Sequence, residues 1–359
     1  MKARLEENVA LAPFTTFGIG GPARYFVHAP SEDAVLDAIR FATDQKLPIF
    51  VLGGGSNLLV ADRGFPGVVL KIDLMGMEWE NDGDKTIVRA GAGEEWDRLV
   101  RSCVDRNLAG VECLSGIPGS VGGTPVQNVG AYGQEVSEVL TMVRAYDRKT
   151  GMVVELSRED CGFTYRTSIF NTTEKDRYIV LNVTYSLAMN GEPAIRYSDV
   201  EQEFEGRITP PSLCEVRDAV RRIRARKAML LVAGDPDCRS AGSFFKNPII
   251  SEKQFSRLEI ALPGVRIPRY PASPGKVKTA AAWLIEQAGF SKGYSLGPAS
   301  LSTKHTLALV NKGGATAGDI LRLARRIRLG VKEKFGITLI PEPMFLGFDT
   351  VILAEFFPA

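Results

Sequence analysis

Residues 116–134 read GIPGSVGGTPVQNVGAYGQ. Glycines at 116, 119, 122, 123, 130 and 133 break any helical or strand period, and the stretch holds no Lys or Arg. A backbone so rich in glycine can take φ > 0 and bring its N–H groups close to a ligand. That is what a diphosphate requires where no side chain supplies positive charge. Pro118 and Pro125 fix the path between the glycines. A purely structural loop of tight turns is the competing reading. A second cluster, Gly53-Gly54-Gly55-Ser56-Asn57, shifts the balance. Two such loops in one small domain point to a single elongated cofactor held between them.

Outward from these loops, residues 23–28 read as a strand, and Ser31 is placed to cap a helix with Val35, Ala38, Ile39 and Ala42 on its apolar face. Residues 48–52 form a short apolar strand that enters the GGGSN loop. No helix follows Asn57, so a plain GxGxxG dinucleotide fold is not indicated. Strands are expected at 68–72, 86–90, 141–147, 152–157 and 177–187, with a helix over 95–107. The polar, proline-bearing connection 188–211 reads as a domain boundary. A basic helix follows over 214–229, its charges read as a solvated face rather than a phosphate site. Helices are expected at 279–288 and 316–334, the second opened by Thr316 with Asp319 three residues on. Residues 336–348 read as a strand.

The composition, 359 residues with 45% hydrophobic and 24% charged, is that of a globular chain of two or three domains. A net charge of +2 gives no reason to expect nucleic acid or an anionic membrane. No apolar run approaches the ~20 residues of a membrane span, and the N-terminus lacks the apolar core of a signal peptide. Cys103, Cys113, Cys161, Cys214 and Cys238 are odd in number and without metal spacing; they read as reduced thiols of a cytoplasmic protein. With His28 and His305 the only histidines, no metal site is expected.

Seven segments, in order, carry a resemblance: FTTFGIGGPA (14–23), LGGGSNLLV (52–60), SGIPGSVGGTPVQNVGAYGQE (115–135), YRTSIF (165–170), AGSFFKNP (241–248), AAWLIEQAGF (281–290) and FGITLIPEP (335–343). The chain resembles the UDP-N-acetylenolpyruvoylglucosamine reductase family, in its subclass with a tyrosine-bearing loop. The resemblance implies an α+β fold: an FAD-binding domain of the vanillyl-alcohol-oxidase type in two subdomains (1–75 and 76–190), a substrate-binding α+β domain (191–335) and a C-terminal segment (336–359) returning to the active site. It implies reduction of an enolpyruvyl ether of UDP-N-acetylglucosamine to UDP-N-acetylmuramate, with non-covalent FAD, with NADPH as co-substrate and with no obligate protein partner.

It also implies residue roles. Ser243 matches the proton donor, Arg166 the active-site arginine and Glu342 the terminal glutamate that assists protonation. A forked, permanently charged guanidinium suits a carboxylate and its enolate. Gly53, Gly54, Gly55, Ser56, Asn57, Ser115, Gly116, Ile117, Gly119, Gly122, Gly123, Ala131 and Tyr132 match the cofactor loops, and Tyr197, Lys227, Asn247 and Gln287 the substrate contacts. Here Ile340 stands where a second Glu is common, and Pro343 directly follows Glu342. The bland readings are a turn serine with a local hydrogen bond for Ser243, a surface arginine for Arg166 and a linker tyrosine for Tyr197. Two other functions compete. An oxidase on the same flavin fold would need no AGSFFKNP segment, and many such oxidases use a His or Cys tether that is not evident here. A non-catalytic binder would not need Arg166, Ser243 and Glu342 together.

Overall fold

The alternation at 177–187 becomes the strand Tyr178–Met189 in a computed structural model that describes residues 4–357. Val183, Tyr185 and Leu187 point inward from it, while Asn182, Thr184 and Ser186 are only half-buried. This strand lies central in an antiparallel sheet ordered Met152–Ser157, Leu140–Asp147, Tyr178–Met189, Lys85–Gly91, Met77–Asp82. The helix Trp96–Asp105 buries Trp96, Leu99, Val100, Cys103 and Val104, a 3.6-residue stripe. Indole Nε1 of Trp96 donates to the carbonyl of Leu114, 3.1 Å away, anchoring the entry to the long glycine loop.

A second sheet is ordered Arg4–Ala10, Pro22–Ala29, Phe65–Ile72, Ile49–Leu52, its last pair parallel. The helix Glu32–Asp44 connects Pro22–Ala29 to Ile49–Leu52, and the Ser31 hydroxyl accepts the Ala34 N–H at 3.3 Å, as the sequence reading expects. Both sheets share one core that runs from Val27 and Val35 to Val183 and Leu187.

Contacts divide the chain into two units. The first comprises residues 4–9, 23–55 and 66–226, the second 10–22, 56–65 and 227–357. The connection expected to open a third domain at 191 therefore has its contacts in the first unit as far as Arg226. The reason is apolar: Val200, Val216, Val220 and Ile223 form one cluster with Cys113, against which Tyr132, Ile195 and Phe204 pack. The connection also hides a short helix, Ser198–Glu203, that its polar composition concealed.

The basic helix is Leu213–Arg226 and ends before Lys227. Its arginines are neither a plain solvated face nor a phosphate cradle. Arg217 and Arg221 pair with Asp97, and Arg222 and Arg226 pair with Glu203.

In the second unit the helix Ala317–Phe335 opens on the expected Thr316–Asp319 capping box and stops at Gly336, whose φ of +65° ends it in the left-handed region. Its buried stripe, Ile320, Leu321, Leu323, Ala324, Ile327 and Val331, shares a core with Leu301, Leu309 and the helix Ala281–Gln287. The expected strand at 336–348 is a correction. Only Met344–Leu346 is a strand, parallel to Leu58–Val60. Pro341 and Pro343 cannot donate to a ladder, so the stretch before Met344 makes single contacts instead. Among the described residues no helix is long and apolar enough to cross a membrane.

Candidate active site

In the first unit the two glycine loops meet main chain to main chain. A Cβ on Gly54 would lie 2.5 Å from Cα of Gly119, and one on Gly53 would lie 2.6 Å from the Ser120 hydroxyl. Only glycine permits this approach. Among the described residues the N–H groups of Gly53, Gly54, Gly55, Gly119 and Ser120 donate to no partner in the chain, although Gly55 and Ser120 are buried. Buried N–H groups without a partner are costly, so this set points outward to an acceptor that the chain does not supply. Gly122 faces Ala92 in the same way, its Cβ position 2.6 Å from that of Ala92. The Gly123 N–H turns back to the Ser120 carbonyl. Ser115 gives its hydroxyl to the Glu112 carbonyl at 2.6 Å, so it braces the loop, and Ile117 is half-buried beyond it.

Gly116 is held differently. Its N–H donates to Asp97 at 2.6 Å. The same carboxylate takes both Arg217 prongs, at 2.7 and 2.9 Å, and Arg221 at 2.6 Å. Burial pushes the Asp97 pKa up, but the Arg217 bonds, the Gly116 N–H and the neighbouring charges outweigh it and hold the group below its ordinary value. Asp97 lies on a helix read only for its apolar face. Nothing in its sequence neighbourhood signals partners at Arg217 and Arg221.

Arg166 has φ +54°, a left-handed backbone that costs a residue with a Cβ about 1 kcal/mol or more. Its guanidinium donates to the carbonyls of Gly130 and, at 3.4 Å, Asn128. Asn128 (φ +45°) in turn donates to Glu135 at 2.7 Å and to the Thr164 carbonyl at 3.2 Å, and it accepts the Ser137 N–H at 3.1 Å. Strain concentrated at residues 128 and 166 is over-determined by this network, the pattern expected where a side chain must be aimed. Ala131 lies in the short strand Gly130–Ala131, which pairs with Gln134–Glu135. Tyr132, also left-handed at +49°, meets Tyr197 edge to face with ring centroids 5.6 Å apart. A buried arginine, Arg224, bonds its hydroxyl; burial raises the Tyr132 pKa and lowers that of Arg224. Asn128 and Arg224 were not singled out by the sequence reading.

In the second unit Ser243 and Glu342 are brought together. Ser243 bridges to Ala308, and the Phe244 N–H donates to Leu307 at 2.8 Å. The Phe244 carbonyl accepts the Glu342 N–H at 2.9 Å, and Lys246 donates to Ile340 at 2.9 Å. Phe244 and Phe245, both buried, back the segment. Ser243 therefore sits on a strand-like stretch after the turn at Gly242 (φ +69°), and its hydroxyl has no partner among the described residues. The local hydrogen bond of an ordinary turn serine is not made. Asn57 joins this group: its side chain donates to the Glu342 carbonyl at 3.4 Å, and its own carbonyl accepts the Met344 N–H at 2.9 Å. Ser56, beside it, is half-buried.

The remaining expected substrate residues lie in the same unit but are not drawn together. Asn247 caps the helix Ala281–Gln287, its Oδ1 accepting the Ala281 N–H at 2.9 Å. Gln287 ends that helix, and its carbonyl accepts from Lys334. Lys227, half-buried, follows the end of Leu213–Arg226 and precedes Ala228, whose φ is +53°.

With this geometry in view, the family model of the FAD binding domain matches residues 23–157. The model of the UDP-N-acetylenolpyruvoylglucosamine reductase C-terminal domain matches residues 235–346. An α+β protein with an FAD binding domain and a second domain that matches a reductase C-terminal model is a flavin-dependent oxidoreductase. The UDP-N-acetylenolpyruvoylglucosamine reductase of Thermobifida fusca is 48% identical over 357 residues, covering 97% of this chain and 99% of the relative. That of Mycobacterium avium is 43% identical over 368 residues, covering 96% of each. The solved reductase of Thermus caldophilus superposes with a TM-score of 0.67 at 28% identity, over 96% of this chain and 99% of that one. The chain belongs to the UDP-N-acetylenolpyruvoylglucosamine reductase family.

The residues present fit FAD, on an observation internal to this chain. An uncharged double loop carrying N–H groups without acceptors, some of them buried, is the donor set that a dinucleotide diphosphate completes.

Proposed function

We propose that Ser243, Arg166 and Glu342 carry the chemistry of this reductase. The protein reduces UDP-N-acetylglucosamine enolpyruvate to UDP-N-acetylmuramate, with NADPH as reductant and FAD as cofactor, in peptidoglycan precursor synthesis. Bound FAD supplies hydride transfer between NADPH and the enolpyruvyl double bond. The chain's residues do the rest. Hydride reaches the terminal methylene carbon, and the carbon bearing the carboxylate must gain a proton. Arg166 binds that carboxylate and stabilises the charge developing on it. Ser243 gives the hydroxyl proton to the carbon, and Glu342 assists.

The observation that carries this reading is the Ser243 hydroxyl, held on a backbone fixed from both sides, without a partner among the described residues and placed in one segment pair with Glu342. A serine is a weak acid, so its use depends on placement against a strong base such as an enolate. Tyr197, Lys227, Asn247 and Gln287 hold the UDP-sugar. Asn247 retains an amide NH2 with no partner among the described residues. The two loops 53–57 and 115–134 hold the dinucleotide. We assign residues 1–75 and 76–190 to the cofactor, 191–335 to the substrate, although 191–226 pack within the first unit, and 336–359 to the C-terminal part of the site. We place the reaction in the cytoplasm, in keeping with five cysteines that are all free thiols.

The test is two separate half-reactions under nitrogen. NADPH should bleach the flavin, and the enolpyruvyl UDP-sugar should restore its colour. Rapid recovery in air with none on adding the sugar would instead indicate an oxidase.

A further inference from the structure

Glu112 is fully buried, and among the described residues no cation pairs with its carboxylate. It spends its oxygens on three N–H donors from three segments. Oε2 accepts the Gly110 N–H at 2.8 Å. Oε1 accepts the Gln134 side-chain amide at 2.8 Å and the Ala194 N–H at 2.8 Å. Gln134 passes the connection on, its own Oε1 accepting the Cys113 N–H at 2.7 Å. The two ends of the long glycine loop are thereby closed on each other. Ala194 is gripped twice, because the Cys113 thiol donates to its carbonyl at 3.1 Å while Glu112 takes its N–H. Ala194 stands three residues before Tyr197, whose ring rests on Tyr132 of the same loop. Ile195, between them, packs on the cluster containing Cys113 and Val220.

We infer that Glu112 is a positioning residue that fastens the tyrosine-bearing segment to the base of the cofactor loop, so that capture of the UDP-sugar by Tyr197 depends on it. The inference rests on the substrate role proposed for Tyr197. A carboxylate suits the task because one group must serve three converging donors, and charge-assisted bonds are the stronger kind. A neutral amide could satisfy at most two, since its NH2 would face an N–H. With Ala194 fixed at both its N–H and its carbonyl, Tyr197 moves about a defined pivot rather than with a loose connection.

Cys113 gives a reporter of the clamp independent of turnover. Its thiol is buried, and burial together with the adjacent Glu112 pushes its pKa far up, so the clamped protein should resist alkylation there. In a Cys214→Ser background, which removes the exposed thiol, Glu112→Ala should expose Cys113 to iodoacetamide. It should also raise the KM for the enolpyruvyl UDP-sugar about tenfold, the loss of one buried charged hydrogen bond, while flavin reduction by NADPH changes far less. Melting temperature and circular dichroism show whether the variant folds, and flavin reduction is measured with FAD in excess. Should it not, Glu112→Gln carries the same expectations at smaller amplitude. Combined with Tyr197→Phe, the KM effects should be less than additive, because both act on one segment.

If Tyr197→Phe raises KM but neither Glu112 variant does, the clamp is refuted and the tyrosine's role stands. If Tyr197→Phe leaves KM unchanged, the substrate role itself fails and the inference falls with it. Fully additive effects would show that Glu112 acts elsewhere, and unchanged alkylation of Cys113 in folded Glu112→Ala would show that it does not hold Ala194.

Discussion

Replacing Ser243 by Ala separates folding from chemistry. The side chain is half-buried, and its hydroxyl has no partner among the described residues, so Ala removes no hydrogen bond and opens little space. The backbone bonds that fix the segment, Phe244 to Leu307 and Glu342 to Phe244, do not involve the side chain. The expected stability change is within about 0.5 kcal/mol. The proton transfer should suffer far more, by the ~10²–10⁴ that a positioned donor contributes, or roughly 3–5 kcal/mol of barrier. Rapid mixing under nitrogen resolves the two halves. Bleaching by NADPH should stay near the wild-type rate, and recovery of colour with the enolpyruvyl substrate should fall a hundredfold or more. Ser243→Cys, which keeps a donor, should regain part of the loss. Ser302→Ala is the control. That serine is buried, donates to Asp237 at 3.0 Å and accepts the Lys304 N–H at 3.0 Å, so its loss should cost about 1–3 kcal/mol of stability while leaving the proton step alone. A folded Ser243→Ala enzyme whose second half-reaction ran at the wild-type rate would remove Ser243 as donor and leave Glu342 or a water in its place.

Other expectations follow from the loops. Gly54→Ala drives a Cβ to 2.5 Å from the Gly119 backbone, which cannot rotate away. It should cost about 1–3 kcal/mol of stability and release flavin, measured as the ratio of flavin to protein absorbance; full flavin content would show that the loops can part freely. The Asp97 carboxyl is held below its ordinary value of 3.8, so its stabilisation is complete above that pH and is lost as pH falls through the lower folded value. Asp97→Asn should accordingly lower the melting temperature at pH 7, with the gap to wild type closing in acid below about pH 3.8; a gap independent of pH would mean that the charge is not what matters. Precipitating the protein with acid should leave all the yellow colour in the supernatant, the outcome expected of untethered FAD; flavin retained in the pellet would contradict this.

What was readable in the sequence follows the range of the interactions. The caps Ser31 and Thr316 act on neighbours three residues away, and both helices begin where those residues place them. Strict alternation marked Tyr178–Met189 because one of its faces is buried. The strand Met77–Asp82 carries the polar sequence MEWEND and was missed, since it lies at a sheet edge and little of it is buried. Residues 336–348 are apolar enough to resemble a strand, but the prolines at 341 and 343 leave only Met344–Leu346 as a continuous strand, with a single bridge from Pro341 to Phe245 before it. The glycine loops were legible as loops from composition alone. Residue roles came from motif resemblance, because Arg166, Ser243 and Glu342 have no local feature that singles them out. Their settings — a strained backbone at one and a partnerless hydroxyl at another — exist only once distant segments have met.

Asp97 and Glu112 explain how a loop without a single Lys or Arg can present itself to an anion. A glycine-rich backbone offers many N–H donors, and unless most of them are occupied the loop has no preferred shape. Asp97 takes the donor of Gly116, and Glu112 takes those of Gly110, Ala194 and the Gln134 side chain. Main-chain carbonyls take those of Val121, Gly122 and Gly123. Among the donors that remain are Gly119 and Ser120 beside Gly53, Gly54 and Gly55, so the chain's own acceptors help decide which donors are left for the proposed diphosphate. Negative side chains near an anion site would ordinarily oppose binding. Here Arg217 and Arg221 neutralise Asp97, and Glu112 is enclosed by its donors, so both carboxylates shape the loop while lending it little negative field. Exchanging either for a neutral residue should therefore loosen the cofactor rather than tighten it, the opposite of what charge counting predicts. Flavin dissociation rates in Asp97→Asn and Glu112→Gln measure the sign directly, and slower release in either would show that charge, not shape, governs the site.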